Sequence, residues 1–209
     1  RAGETRRNGR AGGGGAGRAL TAQQRGVVAT LIARGGEMLF AELVEASAAG
    51  FAAVVTKDHD YAGVATAELI RKHHPELSTK IFSSIVLNNV VGGINPYAVE
   101  HTAAMGGKIV WMPTLAAENH LRWEKTSSWS HPASTQKMRP ASPVPVLDAN
   151  KKVLDSVKDV LDVVARNDMI LASGHLHVSE TWIVFEEVAA RDWVVGEQSV
   201  AARRKAAGK

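Results

Sequence analysis

Between Lys80 and His120 the chain reads KIFSSIVLNNVVGGINPYAVEHTAAMGGKIVWMPTLAAENH. Two apolar, β-branched runs are each followed by polar residues, with a Gly/Asn-Pro turn and a helical pattern between them. That arrangement predicts one parallel strand–helix–strand crossover. In folds built from such units, chemistry gathers just past the carboxyl ends of the strands. Here those ends are Asn88–Asn89 and Glu118–His120. Two further strand-like runs end in the same manner: FAAVVT leads into Lys57-Asp58-His59-Asp60, and MILAS into Gly174-His175-Leu176-His177. Histidines and carboxylates at successive strand ends suit a metal centre or an acid–base site.

The rest of the chain extends the alternation. EMLFAELVEASAAG has helical spacing and stops at Gly50, Phe51–Thr56 is a strand, and Ala62–His73 is a helix halted by Pro75. Lys80–Leu87 is the next strand. Asn95 and Pro96 mark a helix start, as N-cap and first-turn residue, with that helix running to Gly106-Gly107. Lys108–Met112 is a strand, Pro143–Leu147 is short and extended, and Val153–Arg166 is strongly amphipathic. Met169–Ser173 is the fourth strand, and Ser179 caps a last helix reaching about Arg191. The pattern predicts an α/β fold with a parallel sheet. Val27–Ile32 suits either an added strand or a short helix. Pro113–Pro145 reads as one long irregular segment, the kind of loop that covers an active site or lacks order.

Charge is concentrated at the ends. Of 25 basic and 21 acidic residues, ten basic and one acidic fall in residues 1–25 and 201–209, so the body carries 15 and 20. No basic stripe with interleaved aromatics lies between the tails, which argues against nucleic-acid binding. No apolar run approaches the roughly 18–20 residues that span a membrane, and no apolar signal core follows the basic N-terminus. The expectation is a cytoplasmic, non-membrane protein. Residues 1–35 read as a low-complexity tail, 36–192 as a single α/β domain and 193–209 as a basic tail. With zero cysteines, any metal must be bound through nitrogen and oxygen.

Among the strand-end residues, His175, His120 and His59 are the candidate metal ligands, with His175 favoured over His177, which also suits a helix cap. Lys57 and Asp58 are the candidate catalytic groups, with Asp60 as a second carboxylate; ordinary turn roles compete for both acids. His73, His74, His101 and His131 read as structural or solvated. Ser173-Gly174-His175 lacks a G-x-S-x-G elbow, so a serine hydrolase is not expected.

The blocks TKDHD, IVLNNVVGGINPYAVE, GGKIVWMPT…ENH and PVLDANKKVLDSVKDVLDVVARNDMILASGHLHVSE resemble an uncharacterised microbial family related to the amidohydrolases, over about Glu37–Ala190. The resemblance implies a metal-dependent (β/α)8, TIM-type barrel, a divalent ion (zinc, or manganese) and hydrolysis of an amide, lactone or phosphoester in a small-molecule substrate. It also implies an Asp-x-His-x-His first strand and further strands after GHL, neither of which occurs in this sequence. The expectation is therefore an incomplete, truncated barrel. An open sheet edge would favour a homo-oligomer. The competing reading is a non-catalytic remnant or interaction protein that keeps the scaffold without the metal site.

Overall fold

The computed structural model describes residues 28–32, 36–128 and 139–191. Its elements alternate in chain order: β1 (Val28–Ile32), α1 (Gly36–Ala48), β2 (Ala53–Lys57), α2 (Val64–His73), β3 (Lys80–Phe82), β4 (Ser84–Val86), α3 (Pro96–Ala104), β5 (Ile109–Trp111), α4 (Glu118–Glu124), α5 (Asp155–Arg166), β6 (Ile170–Ala172) and α6 (Val178–Ala190). Every strand pairing is parallel. β1, β2 and β3 form one sheet in sequence order, and β4, β5 and β6 form a second. The protein is thus mixed α/β, with short parallel strands alternating with helices, and the described strands do not close into a barrel.

β3 and β4 are a single expected strand interrupted at Ser83. Around this break the two sheets are tied together: the Ser84 hydroxyl donates to the Thr56 carbonyl at 2.6 Å, and Lys108 N–H donates to the Ser83 carbonyl at 2.9 Å. All of β2 is buried, as expected for a parallel strand covered on both faces. β1 lies ahead of Gly36, within the segment expected as a tail, and pairs with β2 from Val28–Ala53 to Ile32–Lys57. The strand option for Val27–Ile32 is the one adopted.

Packing divides into two clusters. The larger includes Ile85, Leu87, Val99, Val110, Met112, Val157, Val160, Leu161 and Val164. On α5 the buried residues recur every three or four positions while Asp155, Asp159 and Asp162 face water, so the amphipathic pattern is realised as a core-facing stripe. The smaller cluster joins Leu43, Ala46, Val54, Ala67, Ile70 and Ile81. Asn95 caps α3, accepting from Ala98 N–H at 3.3 Å with Pro96 behind it.

Two local expectations are corrected. Pro113–Pro145 is not irregular throughout, because it contains α4; ENHLRWE buries only His120 and so lacks the apolar periodicity that would announce a helix. The last helix is capped by His177 rather than Ser179. The His177 ring accepts from Ser179 N–H at 3.2 Å while Glu180 accepts from His177 N–H at 2.9 Å, a capping box built on an imidazole. Trp129, His131 and the basic C-terminal segment lie outside the described residues. No described helix is long and apolar enough to cross a membrane.

Candidate functional site

The segments leaving β2, β4 and β5 meet around one buried amide, and the chain leaving β6 joins the one leaving β5. Asn88, only 4% exposed, follows β4. Its Oδ1 accepts from Thr114 N–H at 2.9 Å and Ala116 N–H at 3.1 Å. Its Nδ2 donates to the His59 carbonyl at 3.0 Å and the Thr114 hydroxyl at 2.9 Å. One side chain therefore satisfies backbone groups that the ladders leave open beyond β2 and β5. Thr114 passes the constraint on, since its Oγ1 lies 2.9 Å from His59 Nδ1.

His175 is placed by close backbone contact. Gly174 has φ +61°, and a Cβ there would lie 2.1 Å from the Met112 carbonyl oxygen. Only glycine lets the chain leaving β6 lie so tightly on the chain leaving β5. His175 N–H then donates to the Pro113 carbonyl at 2.9 Å, carrying the β5–β6 register past the strands. α4 brings His120 inward to 8% exposure. The two rings meet through Nδ1 atoms 3.1 Å apart, with centroids 4.9 Å apart. The His59 ring centroid is 6.1 Å from that of His175. The structure thus brings His59, His120 and His175 to one place. Among the described residues, no three His, Asp or Glu side chains converge closely enough to hold a metal ion.

Lys57, the last residue of β2, is 9% exposed. Its ammonium sits 4.4 Å from the centre of the Trp111 ring, a cation–π contact. Among the described residues no carboxylate pairs with it, and burial pushes its pKa down. The His175 imidazole is held down to about 4, first by burial, then by the charge of Lys57 and then by His120. His175 is therefore a neutral base at physiological pH, its lone pair available to a hydrogen bond or a ligand.

Asp58 takes a turn role in the geometry: its Oδ1 accepts from Asp60 N–H at 2.8 Å and Tyr61 N–H at 3.3 Å. This Asx turn shapes the loop that carries His59. His177 is spent on its cap. His73 ends α2 and His101 lies on α3, while His74 contacts Glu76 at 3.0 Å; all three lie away from the cluster.

A cavity of about 820 Å³ opens beside the histidines, lined by His59, His120, Val90, Ile94, Leu115 and Leu154 among others. Part of its wall is the strap 139–145. Asn89 clips that strap through Ser142, donating to its carbonyl at 3.0 Å and its hydroxyl at 3.1 Å and accepting from its N–H at 3.1 Å. Val144 N–H donates to the Ala116 carbonyl at 2.9 Å. The sequence places Lys57, Asn88, Met112–Thr114 and His175 at strand ends expected to share one edge, and the strap falls in the Pro113–Pro145 segment expected to cover a site. Trp111, whose ring the Lys57 ammonium faces, is not singled out by the sequence.

Fold and site together define an α/β protein with a histidine-bordered cavity at the carboxyl ends of parallel strands. The chain belongs to the DUF6282 family, a family of unknown function, whose sequence pattern matches residues 33–198. No curated protein and no solved structure matches the chain.

Proposed function

We propose that this is a metal-assisted hydrolase acting on an amide, lactone or phosphoester of a small molecule, on a scaffold that corresponds to the open middle of a (β/α)8 barrel. The observation that carries the reading is the His120–His175 pair. Two imidazole nitrogens bound to one tetrahedral zinc at about 2.0–2.1 Å each are about 3.3–3.4 Å apart, and the observed separation is 3.1 Å. His175 is also neutral, as a ligand must be. His120 and His175 fit two positions of such an ion, and His59 is the nearest further imidazole. His120 and His175 would hold such an ion, and the chemistry it would supply is a bound water acidic enough to lose its proton near neutral pH.

The protein's own groups divide the remaining work. Hydrolysis adds the water oxygen to the acyl or phosphoryl centre and delivers a proton to the departing nitrogen or oxygen. His59, fixed by Thr114, is placed to hold and return that proton. Lys57 is the nearby cation that favours developing negative charge. Asp58 keeps the β2 loop in the shape that presents His59.

Elemental analysis of purified protein tests the reading, for the parent and for His175→Ala. Metal well below one equivalent is expected in the parent as purified, rising with added zinc or manganese and lost in the variant; near-stoichiometric metal as purified would show a more complete site than the two imidazoles provide. Absence of metal from both, even after excess zinc, would favour the non-catalytic scaffold. That second reading draws on the lack of a three-ligand group among the described residues.

A further inference from the structure

Among the described residues ten large apolar side chains are exposed, and one of them, Val90 at 48%, lines the cavity. Tyr61, Tyr97 and Trp123 are exposed as well and lie close to lining residues in sequence, next to Asp60, three positions after Ile94 and next to Glu124. Inside, Val90, Ile94, Leu115 and Leu154 provide apolar wall, whereas Arg139 places one positive charge and Asp60 and Glu124 place two negative ones. A nucleotide or polyanion would need net positive lining, which these charges do not supply. The volume falls within the roughly 300–1,000 Å³ range of small-molecule sites.

We infer that the cavity takes an amphiphilic substrate, an acyl or similarly apolar chain lying along Val90, Ile94, Leu115 and Leu154 with its polar head at His59 and His120. The assignment of the head rests on the reading of the histidine cluster as the reactive centre; the chain site does not. The hydrogen bonds from Asn89 to Ser142 and from Val144 to Ala116 fix the strap's own part of the wall, Pro143–Pro145, so binding need not first order it.

The test uses the whole chain in EDTA with a dansyl-labelled undecanoic acid, followed by fluorescence. Saturable one-to-one binding, displaced by dodecanoate and not by acetate, is expected. Leu115→Trp should weaken binding about tenfold by filling the cavity. Val90→Asp, at an exposed position that leaves folding intact, should weaken it comparably. Leu69→Trp, on the exposed face of α2, should bind as the parent does. Lack of saturable binding, or equal binding in the parent and both cavity variants, would overturn the inference. So would co-sedimentation with phosphatidylcholine vesicles in its place, which would assign the exposed apolar side chains to a lipid surface. Because the readout needs no metal, protein that binds the probe but no zinc removes only the hydrolase reading. Protein that binds zinc but no probe removes only this one.

Discussion

The side chain of Asn88 grips Thr114 at two points, accepting from its N–H and donating to its hydroxyl, each at 2.9 Å. Asn88→Ala would leave the N–H groups of Thr114 and Ala116 and the His59 carbonyl without that partner. At about 1–3 kcal/mol for each buried group left unsatisfied, the variant should lose about 3 kcal/mol or more in urea denaturation. Thr114→Val keeps the volume and removes only the hydroxyl. Its effect should be smaller in stability, about 1–2 kcal/mol, and visible as a changed Nδ1/Nε2 pattern for His59 in nitrogen-resolved imidazole NMR. An unchanged pattern would show that Thr114 does not set the tautomer.

Gly174→Ala tests the close approach of β5 and β6. With backbone oxygens of Met112 and Pro113 at 2.1 and 2.5 Å from the added carbon, neither chain can yield without moving His175. A loss above about 4 kcal/mol, or failure to fold, is expected. Gly106→Ala is the control. It also has positive φ, but its nearest neighbour would be an arginine tip 3.9 Å away, so its cost should stay near 1–2 kcal/mol. Equal losses in the two variants would mean that φ, and not the contact, dominates.

The depressed His175 pKa gives stability a pH dependence of known sign. In the unfolded chain a histidine titrates near 6.5, while in the folded protein His175 titrates at about 4. Between those values the unfolded state binds more protons, so this contribution is present above about pH 6.5 and is lost as pH falls toward 4. Urea midpoints measured across this window should fall more steeply for the parent than for His175→Gln. A steeper fall in the variant would contradict the assignment.

Lys57→Met replaces a buried ammonium, lacking a carboxylate partner among the described residues, with an apolar chain of similar length. The desolvation cost disappears, and stability at neutral pH should rise by about 1 kcal/mol. In the parent the same depressed pKa means that stability grows as pH rises toward the unfolded value of about 10.5, where the unfolded chain holds the extra proton. That rise should vanish in Lys57→Met. A destabilised variant would show that the Trp111 contact outweighs the burial of charge.

β6 presents Ile170 at 60% exposure and pairs with β5 alone among the described strands. An open parallel edge with an exposed branched side chain favours association. Sedimentation velocity should show self-association that Ile170→Lys reduces. A monomeric parent across the accessible concentrations would dismiss this edge as an interface.

The strands were legible because they are short apolar runs with distinct stops: Phe51–Thr56 and Lys108–Met112 coincide with β2 and β5 to within two residues at each end. The Asn95-Pro96 start was legible because capping chemistry is local. What escaped the sequence depends on tertiary contact. α4 has one buried residue, and its helix is selected by where His120 must go. Ser83 splits a strand because its carbonyl serves Lys108 while Ser84 turns to Thr56. The histidines could be named from their position after strands. Their mutual arrangement could not, because it depends on Gly174 packing and on Asn88, whose four hydrogen bonds reach residues 26 to 29 positions away.

The break at Ser83 separates two sheets, each backed by its own apolar cluster. The first carries Lys57 and His59, and the second carries His175 beside Met112. Units with separate cores can open separately. Amides of Val54 and Val55 should therefore exchange with deuterium as one group, and those of Val110 and Leu161 as another. When the first sheet alone opens, Lys57 and His59 leave the cluster while His120 and His175 still face each other, so the proton-handling half of the site can be lost without the other.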